Sequence, residues 1–257
     1  MATDHLLRNV ALLLATAGFA TLASCAATGD KAPASSASSA SSAPSTSSDK
    51  SAAVQPATQC SFGAFVAETD PAGLNVRAAP NATAKVLGKL PPTFIEPSMN
   101  YGVRVEVEVV GARNGWFLIR NAQDNEMLTD RPARPMYSGE GWVSGSKLTV
   151  KSQADSGRAR PDLKAKTVLR VGDNETFDND VMVDAARLTD CQGKWAQVEF
   201  TDQRFPASDR SSVKVDPSAR AGLPPGRFRA WVNRICASQE TSCDGLGADG
   251  DVSDSKP

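Results

Sequence analysis

From about residue 60 onward, apolar and polar positions alternate in short runs broken by Gly, Pro and Asn. Val103, Val105, Val107 and Val109 are interleaved with Arg104, Glu106 and Glu108. A period of two is that of a strand with one buried face, so the two glutamates are expected on its solvated side. Asn114-Gly115 then interrupts the chain before Trp116-Phe117-Leu118-Ile119, and the two runs read as a hairpin. Val181 to Leu188, then Gln192-Gly193-Lys194, then Trp195 to Phe200 predict a second hairpin of the same kind. No segment offers a long capped amphipathic helix, and the expected fold class is mainly β.

The chain before residue 60 has a different texture. Residues 1–24 carry Arg8 and an apolar run from Val10 to Leu22, the layout of a secretory signal peptide. Leu22-Ala23-Ser24-Cys25 resembles the lipobox of bacterial lipoproteins. That resemblance implies a thioether-linked diacylglycerol on Cys25, which becomes the mature N-terminus, and several acyl chains on one residue give a lasting anchor. Ala26 rather than Asp follows it, which in Gram-negative lipoproteins implies the outer membrane, on its periplasmic face. Residues 26–59 are dominated by Ala and Ser with Pro33, Pro44 and Pro56, too little apolar surface to offset ordering entropy. A disordered tether is expected there, with a mean span of roughly 30–35 Å.

Two stretches of the remainder match in order and spacing. The first runs Gly73-Leu74-Asn75-Val76-Arg77-Ala78-Ala79-Pro80, then Asn114-Gly115-Trp116, then Gly139-Glu140-Gly141-Trp142-Val143. The second runs Ser156-Gly157-Arg158-Ala159-Arg160-Pro161, then Gln192-Gly193-Lys194-Trp195, then Arg229-Ala230-Trp231-Val232. Arg and the first Trp are 39 residues apart in one copy and 37 in the other. The opening, the Gly-Trp hairpin and the closing Gly-Trp-Val strand resemble the bacterial SH3-like (SH3b) domain, closely in the first copy and loosely in the second. There Gly157 replaces an apolar residue and Ala230 replaces a Gly. The resemblance implies two five-stranded, partly open barrels in tandem. The organisation expected is a leader at 1–24, the lipidated Cys and linker at 25–59, SH3-like domains at 60–150 and 151–246, and a flexible tail at 247–257. Small domains bury thin cores, so Trp116, Trp142, Trp195 and Trp231 are expected mainly as core, and Arg77 and Arg158 as solvated or paired.

Charge adds little, since 28 Lys and Arg stand against 29 Asp and Glu. No basic block predicts nucleic acid. Cys60, Cys191, Cys236 and Cys243 form an even set that reads as two disulfides in an oxidising compartment. Cys236 and Cys243 could close a short loop, or Cys191 could capture one of them. No CxxC spacing supports zinc, and no metal or cofactor is expected. The one His, His5, lies in the leader, which removes the usual base of Ser-His-Asp or Cys-His catalysis. Glu106 and Glu108 could in principle serve glycoside hydrolysis, but a solvated strand face is the plainer reading, and no enzyme is expected.

Two insertions, 121–138 and 201–229, separate the Trp residues of each copy, the second with six Arg or Lys against three Asp. Tyr101, Tyr137 and Phe205 are the aromatics expected to be partly exposed. The candidate ligand residues are therefore Arg77, Tyr101, Tyr137, Trp142, Phe205 and Trp231. The expected function is a membrane-anchored envelope protein whose SH3-like modules bind cell-wall peptidoglycan. The alternatives are docking of an envelope protein through the same modules, and a disulfide-stapled structural role.

Overall fold

The computed structural model describes residues 56–239, apart from positions 99, 127, 128, 130 and 174, together with Cys243. The leader, the lipidation candidate Cys25, nearly all of the linker and the tail 247–257 lie outside the described residues. Among the described residues no helix is long and apolar enough to cross a membrane.

The first half contributes β1 (Thr58–Val66), β2 (Leu74–Arg77), β3 (Val86–Leu90), a separate ribbon of β4 (Phe94–Glu96) and β5 (Tyr101–Val103), β6 (Glu106–Arg113), β7 (Trp116–Gln123), β8 (Gly141–Ser144) and β9 (Leu148–Thr149). The second contributes β10 (Gly157–Arg158), β11 (Thr167–Val171), the helix α1 (Asp180–Ala185), β12 (Ala186–Gln192), β13 (Trp195–Thr201), β14 (Val213–Val215) and β15 (Arg227–Val232). The fold is mainly β, as expected. The first hairpin forms where the alternation placed it, and the second turns at Gly193-Lys194 as expected but has its first strand only from Ala186. Asn114 and Gly115 have φ of 52° and 75°, the pair of positive angles that a tight hairpin turn with right-handed twist requires.

The first sheet has the order β3-β2-β8-β7-β6-β1-β9, and the second β12-β13-β15-β10-β11-β14. Neither closes on itself. Read from the other edge, β11-β10-β15-β13-β12 repeats β3-β2-β8-β7-β6, so five strands recur in one order. The repeat extends to single hydrogen bonds. Ala78 N–H reaches Lys85 O at 2.9 Å and Ala159 N–H reaches Lys166 O at 2.9 Å. Arg77 Nη1 donates to Ala84 O at 2.8 Å, and Arg158 Nη1 to Ala165 O at 3.3 Å. Each arginine thus ties down the loop that follows its own strand.

The two departures of the second copy compensate each other. A Cβ on Gly141 would sit 2.5 Å from Val76 Cγ1, so the glycine makes room for the valine. In the second copy a Cβ on Gly157 would sit 2.5 Å from Ala230 Cβ: the bulk has moved to the partner strand and the glycine with it. Gly157→Val is expected to cost about 2 kcal/mol through overpacking. Adding Ala230→Gly should recover at least half of that in urea unfolding; simple additivity would refute the exchange.

Several expectations need correction. Val181 to Ala185 is helical, because the Asn179 side chain accepts the Met182 N–H at 2.9 Å and caps a turn that alternation alone reads as strand. Thr58 and Gln59, expected in the tether, already belong to β1. The second insertion is not a bare loop: β14 pairs with β11 and extends the sheet. The valine alternation is real, yet Arg104 and Glu106 are each only 6% exposed. Glu106 Oε1 accepts the Gln239 N–H at 2.8 Å and Asn125 Nδ2 at 3.0 Å, while Gln239 Oε1 accepts the Arg104 N–H at 2.8 Å. Residues far along the chain cover this strand face.

The halves share one core, in which Phe117 and Val143 belong to the same cluster as Val198 and Phe228. Cys60 is bonded to Cys191, with Cα atoms 6.0 Å apart, and Cys236 to Cys243, at 5.4 Å. Beside the first bridge, Ser61 N–H donates to Gly193 O at 2.8 Å and Gly193 N–H to Gln59 O at 2.9 Å, so β1 is fastened to the tip of the β12–β13 hairpin.

Candidate binding surface

Strand parity decides where each tryptophan points. Along β13 the burial alternates, with Ala196, Val198 and Phe200 buried and Trp195, Gln197 and Glu199 half-buried. Along β15 Phe228, Ala230 and Val232 are buried, and Trp231 shares its side with Arg229 and Arg227. Trp116 and Leu118 likewise oppose the buried Phe117 and Ile119. Trp142 is 8% exposed but stands outside the contiguous core, on the side opposite Val143. The expectation of core tryptophans is therefore corrected for Trp116, Trp195 and Trp231, which are half-buried on the outward sides of the two sheets, while Trp142, turned the same way, is buried as expected.

The outward faces correspond to one another. Arg77 lies across from Trp142, which lies across from Leu118. Arg158 lies across from Trp231, which lies across from Gln197. The first face is the more closed, because the Arg113 guanidinium stands 5.2 Å from the centroid of the Trp142 ring. On the second face Trp195 and Trp231 stay half-buried, beside the amide of Gln197, which accepts from Thr189 Oγ1 at 2.9 Å. The second face offers half-buried indoles edged by guanidinium and amide groups, whereas on the first Leu118 takes the place of Gln197 and Arg113 covers the ring of Trp142.

The other candidates are not brought to these faces. Tyr101 donates its hydroxyl to Gln239 O at 3.1 Å, inside the clasp over Glu106. Burial, and then the Asp180 charge, push its hydroxyl pKa above the usual value. Tyr137 lies flat over Gly88 and Gly139, where an added Cβ would come within 2.7 Å of its side-chain atoms, and its backbone N–H bonds Lys89 O at 3.0 Å. It covers β3 at Gly88 and Lys89 and leaves Val86 and Leu87 exposed. Phe205, expected to be exposed, is 2% exposed, because it stacks on Phe200 and Phe228 at 6.0 and 6.1 Å. Arg77 serves its own loop. Of the six, Arg77, Trp142 and Trp231 belong to the repeated faces, and Tyr101, Tyr137 and Phe205 do not.

Trp116 and Trp195, read from the sequence as core, and Gln197 and Arg113 were not among the candidate ligand residues, although the parity of W-A-Q-V-E-F and R-F-R-A-W-V sets Trp195 and Trp231 among polar positions. A separate cleft of about 470 Å³ is lined by Glu175, Asp178, Asp180 and Asp209 over Val171 and Met182. Among the described residues no three His, Cys, Asp or Glu side chains converge as a metal site. No family model, curated protein or solved structure matches this chain.

Proposed function

We propose that this chain is a lipid-anchored envelope protein, a binder and not an enzyme, whose two SH3-like halves hold peptidoglycan on their outward Arg–Trp faces. One observation carries the reading: the same outward pair, an arginine across from a tryptophan, occurs at equivalent positions of both halves. A sugar ring has an apolar face that packs on an indole and a hydroxyl rim that guanidinium and amide groups can bond. Two modest sites on one chain gain through effective concentration when the ligand is a repeating polymer. The lipobox-like sequence ending at Cys25 would hold the halves beside that polymer.

The test is retention of the purified protein on isolated sacculi. Binding released by muramidase digestion is expected, with Trp231→Ala weakening it more than Trp142→Ala because the second face is the more open. A protein that stays wholly in the supernatant refutes the reading. A second reading rests on Val86 and Leu87, 42% and 38% exposed on the edge strand β3, an apolar edge suited to a protein partner. A stoichiometric partner that persists after muramidase digestion would favour it.

A further inference from the structure

On the outward side of the second sheet, arginines outnumber the carboxylates that could neutralise them. Arg187, Glu199 and Arg229 form one cross-strand row over β12, β13 and β15, with Arg227 two positions along. Glu199 is claimed twice, by Arg227 Nη1 at 2.9 Å and by Arg229 Nη2 at 2.7 Å. Asp202 is taken in a fork by Arg220, at 3.0 and 3.1 Å. Asp184 is bound by Arg104. Arg187 is left with two backbone carbonyls, those of Asp184 at 2.9 Å and Ala186 at 2.5 Å. Arg204, at the end of the 3-10 turn Asp202–Arg204, is exposed and makes no ion pair among the described residues.

We infer that Arg187 and Arg204 form a binding site for one anionic group, a carboxylate or a phosphate, carried by the ligand that lies on the Trp231 face. Arg187 is half-buried and forms no ion pair among the described residues, the neighbouring Asp184 carboxylate being held by Arg104, and a partly desolvated guanidinium is costly unless an anion completes it. Burial first, and then the neighbouring charges of Arg204 and Arg104, draw its pKa down to about 10, against the opposing pull of the Asp184 and Glu68 carboxylates. The 3-10 turn Asp202–Arg204 packs against α1, which leads directly into Arg187, so both guanidinium groups belong to one corner of the sheet, and a planar fork near a second guanidinium suits an oxyanion with two or more acceptor oxygens. Trp195, Trp231 and Gln197 share the sheet face, so an anion held here would lie alongside a sugar stacked on the indoles. The inference deepens the peptidoglycan reading in that the polymer's carboxylates are of this class, but the site itself does not depend on which polymer supplies the anion.

The experiment measures thermal stability of the purified protein at constant ionic strength, with inorganic phosphate, N-acetylmuramic acid or carboxyl-free N-acetylglucosamine. A ligand that binds only the folded state raises the melting temperature saturably. Phosphate or N-acetylmuramic acid should do so, and Arg204→Gln should weaken the apparent affinity at least tenfold, whereas Arg120→Gln on the first sheet leaves it unchanged. The tighter of the two anions identifies the source, phosphate-bearing or carboxylate-bearing. Without ligand, Arg204→Gln should melt no lower than wild type, since it removes a repulsion; a purely structural Arg204 would lower it. No saturable rise with either anion, or an equal rise in Arg204→Gln, overturns the site. An Arg204-dependent rise in a protein that ignores sacculi overturns the peptidoglycan reading and leaves the anion site standing.

Discussion

Replacing Cys60 and Cys191 together by alanine is expected to remove about 4–5 kcal/mol of stability, the largest loss from any single bond in the molecule. The bridge spans 131 residues of sequence, so in the unfolded chain it excludes far more conformations than the Cys236–Cys243 bridge, which spans 7. The chain-entropy relation puts the shorter bridge at about half that value. A native-state effect adds to the difference, because Cys60 sits beside the paired backbones of Gln59, Ser61 and Gly193 that fasten the sheets together. Urea unfolding of the two double-alanine variants checks this. The midpoint should fall much further for Cys60 and Cys191, with little change in slope. Equal losses, or a loss under about 1 kcal/mol at the long bridge, would mean that chain entropy does not dominate here.

Phe228→Ala should cost about 3–5 kcal/mol, as truncation of a large buried aromatic does where the site cannot collapse. Phe228 is fully buried; its ring lies 5.2 Å from that of Phe200 and 6.1 Å from that of Phe205. The Arg220 guanidinium stands 4.8 Å over it and is itself held by Asp202. Neighbours fixed in this way by β13, β15 and the anchored arginine cannot move in to fill the space. The same geometry separates stability from recognition: Phe205→Ala should lower the unfolding midpoint while leaving ligand affinity of the folded protein unchanged. A Phe228→Ala loss below about 1.5 kcal/mol would show that the site collapses around the missing ring.

The features legible in the sequence were local ones. Asn114-Gly115 fixes a turn by its own backbone preferences, and the spacing of Arg, Pro and Trp betrays the repeat without any tertiary information. Period-two patterning also located β6, β7 and β13. It failed where a distant segment decides burial. Glu106 reads as solvated until Ser238 and Gln239 come back across the strand, and nothing near residue 106 announces them. Met182 and Val183 have strand-like neighbours, but Asn179 caps a helical turn and competes successfully. Of the binding surface, Arg77, Trp142 and Trp231 were legible through the repeat. Phe205 was misplaced because it lies in an insertion, and position within a loop says little about which way a ring turns. The outward aim of the tryptophans was written in strand parity, yet the thinness of a small core argued for placing them inside. The anion pair Arg187 and Arg204 needs the saturation of Glu199, Asp202 and Asp184 to be seen, and that is visible only in three dimensions.

The central claim, that the outward tryptophan faces are the recognition surfaces, is tested most directly by intrinsic fluorescence during titration with soluble peptidoglycan fragments. Trp116, Trp195 and Trp231 are half-buried on those two faces and Trp142 is buried beneath the first, so a sugar stacking there must change the emission. A saturable change is predicted, smaller in Trp231→Phe than in wild type and accompanied by weaker affinity, with the unfolding midpoint preserved. Saturable binding by an independent readout such as calorimetry, with unaltered emission and full affinity in Trp231→Phe and Trp142→Phe, would place the ligand elsewhere and contradict the account.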